Sequence, residues 1–185
     1  MQLNSPTLNR VRSYLGMQYT RFQFRSTIDE VQSFTEFFST AQSVLIALPV
    51  GYDAANLASE ALEQFRQRLS HLQLTVIHNS SRYTSLTEFP KCEVIRLNPL
   101  DINKFSLPSK PLLKRVLSRE YDVAMDLNFE FVLHTAYICR ASRAKVRIGF
   151  AHPHADLFYN VQLNTQSAQT PQAMYGRFAA CLDMF

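Results

Sequence analysis

The chain has 185 residues, 46% of them hydrophobic and 18% charged, with a formal net charge of +4 at pH 7. That length supports a single domain with one sizeable core, and the hydrophobic content and low net charge argue against a disordered chain. The charge excess is small and spread along the sequence. It permits an anionic partner without specifying one, and nucleic-acid binding is not expected.

The three cysteines, Cys92, Cys139 and Cys181, are widely spaced and form no C-x-x-C pair. Neither a zinc knuckle nor a redox pair is indicated, and a reducing, cytoplasmic compartment fits. The opening "MQLNSPTLNRVRSYLG" lacks the apolar core of a secretory leader. No apolar run approaches the ~18 residues a membrane span needs, so contact with a membrane is expected to be peripheral at most.

In chain order, Leu8, Val11, Leu15 and Tyr19 predict a helix over 6–20, and Ile28, Val31, Phe34 and Phe38 predict another over 28–38. Between them, "YTRFQFRS" mixes aromatics and arginines that could touch a membrane surface or nucleic acid; the expected arrangement packs its rings inward and points its arginines at water. "SVLIALP" then reads as a strand, and Ala54 to Leu69 as an amphipathic helix. Strands follow at 72–78 and 92–97. Ser109 and Pro111 mark a helix over 110–119. "YDVAMDL" at 121–127 is a strand, with Asn128 placed to cap a helix over 129–140. Strands at 144–150 and 156–163 and a helix from Pro171 to about 184 complete the order.

Apolar strands alternating with helices predict an α/β fold, a doubly wound and mostly parallel sheet with helices on both faces. The expected organisation is a helical segment over 1–40, a Rossmann-like domain over 41–164, and a linker with a final helix over 165–185. In such sheets ligands collect beyond the carboxyl ends of the strands.

Several residues there are candidates. Asp53, on the loop after the first strand, can act as a general base or cap the helix that starts at Ala54. Asp126 lies in an apolar run, so it is expected to be partly buried and hydrogen-bonded. Asn128 follows it. His152, His154 and Asp156 form H-x-H-x-D, but Pro153 interrupts the strand and no fourth ligand is evident. A loop beside a pocket is the better reading, and no metal is expected. Arg143, Lys145 and Arg147 can hold an anionic group, or form the solvated face of a strand near the sheet edge. The chain has four glycines and neither G-x-G-x-x-G nor G-x-x-x-x-G-K-[ST]. No diphosphate-cradling loop follows, and no cofactor is implied.

"YDVAMDLN", "SRAKVRIGF" and "FYN" together resemble the N-terminal half of glycosyltransferase family 9, the ADP-heptose:lipopolysaccharide heptosyltransferase group. The resemblance runs from about Val44 to Asn160. It implies one half of a GT-B fold, the half that binds the acceptor, and an inverting, metal-independent chemistry. It makes Asp53 the counterpart of the family's base, and Asp126, Asn128, Arg143, Lys145, Arg147, His152 and His154 acceptor-binding residues. The loop here reads Pro-Val-Gly-Tyr-Asp, where the family has Gly-Asp followed by T-L-P. The chain also ends at Phe185, about where the family's linker to the donor domain begins. The resemblance therefore implies a non-catalytic binding or scaffold module. The alternative is the acceptor-binding half of a split glycosyltransferase in lipopolysaccharide or cell-envelope glycan synthesis, with a partner protein supplying the donor domain and a glycan or glycolipid as acceptor.

Overall fold

A computed structural model describes residues 6–26, 29, 40–64, 70–79, 91–164 and 170–176. The helix predicted over 28–38 lies outside them, as do the ends of the helices predicted to reach Leu69 and 184. The described elements are α1 (Pro6–Phe24), β1 (Ser43–Ala47), α2 (Tyr52–Gln64), β2 (Gln73–His78), β3 (Cys92–Arg96), α3 (Lys110–Val116), β4 (Val123–Asp126), α4 (Leu133–Ala141), β5 (Val146–Phe150) and β6 (Val161–Leu163). Residues 171–176 are helical.

The six strands form one sheet in the order β3-β2-β1-β4-β5-β6, with every pair parallel. This is the doubly wound α/β architecture expected of one half of a GT-B fold. Strand side chains alternate between two cores. Val44, Ile46, Val123, Met125, Ile148 and Phe150 face α2 and Tyr175. Leu45, Ile77, Ile95 and Ala124 face Met17 of α1, Leu112 and Val116 of α3, and Ala136 and Ile138 of α4. Two-sided burial is why the central strands carry apolar residues on both faces, without a break from Val44 to Ala47 in β1.

Local signals account for most boundaries. The Ser109 hydroxyl accepts a hydrogen bond from Leu112 N at 3.3 Å, and Pro111 follows in the first turn, starting α3 where the sequence marks it. Asn128 does not cap a helix. Its side chain is drawn into the sheet, and α4 begins only after Val132. The strand predicted over 156–163 shortens to Val161–Leu163, behind a 3-10 turn at Ala155–Leu157. Asn160 is the reason. Its Oδ1 accepts from Arg147 N at 2.7 Å and its Nδ2 donates to Lys145 O at 2.7 Å, so a side chain satisfies backbone groups that another strand would have paired. Among the described residues no helix is long and apolar enough to cross a membrane.

Candidate functional site at the carboxyl edge of the sheet

Strand order reverses between β1 and β4, which are neighbours although β2 and β3 lie between them in sequence. The chain leaves their carboxyl ends in opposite directions, opening a crevice. A cavity of about 670 Å³ lies there. The loop after β1 supplies Val50 and Gly51. The segment from β4 into α4 supplies Glu130, Phe131 and His134. His154 comes from beyond β5, and α1 lays Ser13, Tyr14, Gln18 and Arg21 along the remaining side.

The floor is a buried polar network. Asp126 is 1% exposed. Its Oδ1 accepts from Asn128 N at 3.1 Å and Asn128 Nδ2 at 2.7 Å, and its Oδ2 accepts from the Tyr159 hydroxyl at 2.7 Å. Asn128 Oδ1 in turn accepts from Val50 N at 3.0 Å. One carboxyl group thus ties together the loop after β1, the end of β4 and the segment after β5. Burial pushes the Asp126 pKa up, against the hydrogen bonds from Asn128, Thr135 and Tyr159. Burial likewise lifts the Tyr159 phenol well above its ordinary range, so it remains a donor.

The imidazoles form a second layer. Burial pushes His134 down to about 4, and burial followed by His154 lowers His152, with Asp156 opposing. Arg21 Nη2 lies 3.4 Å from His154 Nδ1. A guanidinium can only donate, so this nitrogen accepts and Nε2 carries the proton. His154 N donates to His152 Nδ1 at 3.2 Å, which assigns the same tautomer to His152. The two rings flank Phe131, at centroid distances of 4.5 and 5.9 Å, and among the described residues no three His, Cys, Asp or Glu side chains group as metal ligands would.

The residues singled out from sequence separate into four places. His154 lines the crevice, with His152 directly behind it against Phe131. Asp126 and Asn128 are the buried floor rather than the lining. Asp53 is exposed in the first turn of α2, one residue inside a helix that starts at Tyr52, so it is not an N-cap and does not line the cavity.

Arg143, Lys145 and Arg147 lie at the entrance of β5, the opposite edge of the sheet from the crevice, because Val146 pairs with Val123 at the start of β4. Arg143 is exposed in the left-handed position that follows α4 (φ 57°), and Lys145 is exposed beside it. Arg147 is not on a solvated face. β6 covers β5 on its outer side, and the Arg147 side chain is 4% exposed. It donates to Phe158 O at 2.9 Å, Ala144 O at 2.8 Å and Asp29 Oδ2 at 2.5 Å. Arg140, also buried, donates to the other oxygen of Asp29 at 2.6 Å.

Sequence reading missed Tyr14, Arg21, Glu130, Phe131 and His134. Glu130 and His134 stand close to the singled-out Asn128, so proximity to a strand's carboxyl end was an available signal. Nothing local marks Tyr14 or Arg21, which reach the crevice only because α1 lies across it.

No protein-family model and no curated protein matches the sequence. The fold does match solved structures. Escherichia coli heptosyltransferase WaaC with ADP superposes at a TM-score of 0.55 and 16% identity, over 76% of this chain and 46% of that one. The same enzyme with ADP-2-deoxy-2-fluoro heptose gives 0.56 and 15%, over 76% and 48%. A family 9 glycosyltransferase from Veillonella parvula gives 0.61 and 13%, over 78% and 42%. The chain therefore has a glycosyltransferase family 9-like fold and spans less than half the length of the structures it matches.

Proposed function

We propose that the crevice binds a glycan and that this chain serves as a heptosyltransferase-like binding or scaffold module without catalysing transfer. The reading is carried by Asp53, the one acid that the resemblance assigns to catalysis. It is exposed, off the cavity wall and on α2, so it is not placed to meet a hydroxyl held in the crevice. The binding side of the reading is supported by the lining. Tyr14 and Phe131 offer flat faces to the C–H side of a sugar ring. Ser13, Gln18, Arg21, Glu130 and His154 offer donors and acceptors for its hydroxyls. The fold likeness to heptosyltransferases makes an envelope oligosaccharide the ligand class to try first.

The test is saturation-transfer NMR with lipopolysaccharide core oligosaccharides. Binding that Phe131→Ala weakens at least tenfold supports the reading. A folded protein that takes up no envelope oligosaccharide overturns it.

A second reading is favoured by Glu130, an acid that does line the crevice. In that reading the chain is the acceptor-binding half of a glycosyltransferase in envelope glycan synthesis, and a partner protein presents the nucleotide-sugar. Neither reactant gains proximity without both halves. Transfer from a nucleotide-sugar in the presence of such a partner, abolished by Glu130→Gln or Asp53→Asn, selects this reading over the first.

A further inference from the structure

We infer that α1 docks the protein on an anionic lipid bilayer. This goes beyond the glycan reading and does not rest on it. α1 is apolar on two sides. Gly16, Met17 and Thr20 are buried against the domain. Away from that face, Leu8, Val11, Leu15, Tyr19 and Phe22 recur at helical spacing in a stripe about 80° wide, and each is 38% to 63% exposed. The rings of "YTRFQFRS" thus divide. Phe24 packs inward at 5.0 Å from Tyr137, while Tyr19 and Phe22 point to solvent, contrary to the sequence expectation.

Charge identifies the occupant. Residues 6–26 contain Arg10, Arg12, Arg21 and Arg25 and no acid. At about 100° per residue Arg12 falls about 20° beyond one edge of the stripe, while Arg10 and Arg21 lie about 80–100° beyond the other, on the crevice side. The Arg25 guanidinium lies 4.3 Å over the Phe22 ring, holding cation and apolar surface together. Leu15 and Tyr19 continue into a second cavity of about 480 Å³, walled by Phe105, Leu107, Pro108 and Leu113, with Lys110 beside them. An apolar strip between two basic margins is the arrangement of a helix that lies in the plane of a bilayer surface. A second copy fits poorly. Two such faces would oppose arginines with no carboxylate on either helix to pair with them. Because Arg21 and Tyr14 line the crevice as well, docking through the stripe holds the crevice mouth beside the membrane.

The test uses the whole chain and vesicle sedimentation, comparing phosphatidylcholine alone with phosphatidylcholine plus phosphatidylglycerol. Pelleting is expected on the anionic vesicles only and should weaken with added salt. Each arginine near the surface contributes about fivefold, so Arg12→Gln with Arg25→Gln should lower partitioning about 25-fold. Phe22→Asp and Leu15→Asp should abolish it. Their circular dichroism should stay unchanged, since both side chains are substantially exposed. Equal pelleting on both vesicle types, no pelleting on either, or indifference to these variants overturns the inference. So does a vesicle-free dimer that Phe22→Asp converts to monomer. Sugar uptake by the crevice is scored separately through Phe131→Ala, so either proposal can fail alone.

Discussion

Gly149 lies within β5, and no glycine among the described residues has a positive φ, so its backbone is open to any residue. What excludes a side chain is Tyr159. A Cβ built on Gly149 would lie 2.6 to 2.7 Å from three carbons of the Tyr159 ring. That ring is buried and its hydroxyl holds Asp126. Gly149→Ala therefore forces the ring aside. Overpacking costs about 1–3 kcal/mol, and losing the hydrogen bond to a buried carboxyl adds about 1.5–3 kcal/mol. The expected loss is about 3–5 kcal/mol, a large share of the 5–15 kcal/mol that holds a typical domain. In a Tyr159→Ala background the obstacle is gone. There Gly149→Ala should stabilise by about 0.5–1 kcal/mol, because alanine loses less conformational freedom in a strand. Urea unfolding of all four proteins measures the cycle. If Gly149→Ala costs the same in both backgrounds, within about 0.5 kcal/mol, the steric account is refuted.

Further outcomes follow from the same contacts. His134 falls from 6.5 to about 4, so the folded state favours its neutral form. Stability is full above pH 6.5 and falls toward pH 4 by about 1.4 kcal/mol per pH unit, about 3 kcal/mol in all. His134→Asn should flatten that slope in pH-dependent urea unfolding, leaving the smaller contributions of His78 and His152, which run in the same direction. Asp29→Asn leaves two buried guanidiniums sharing a neutral partner. A cost of about 2 kcal/mol is expected in chemical denaturation, reduced from that of a fully buried pair because Asp29 is partly exposed. At the other edge of the sheet, Asp122 Oδ2 accepts from Gln42 N, Ser43 N and Ser43 Oγ at 2.9 to 3.1 Å. Asp122→Ala should cost about 2 kcal/mol and speed amide exchange at the start of β1.

The order of strands and helices, the parallel sheet and the burial of Asp126 were legible in the sequence because each depends on local pattern. An apolar run of five to seven residues between helical periodicities can be little else than an internal strand, and a carboxyl group inside one must find donors. Tertiary structure alone decided the rest. Lys145 and Arg147 look alike in an alternating strand. Only the packing of β6 and the arrival of Asp29 make one exposed and the other buried. Asn128 has the composition of a helix cap, but the nearby Val50 amide and Asp126 carboxyl compete for it and hold it in the sheet. The crevice is assembled from Arg21, Glu130, Phe131 and His154, segments more than a hundred residues apart at the extremes, and no periodicity encodes that meeting. Local sequence sets the spacing of apolar and polar groups along the chain. Which polar group is left facing a cavity depends on which distant partners have already satisfied the others, and that is settled only when the layers close.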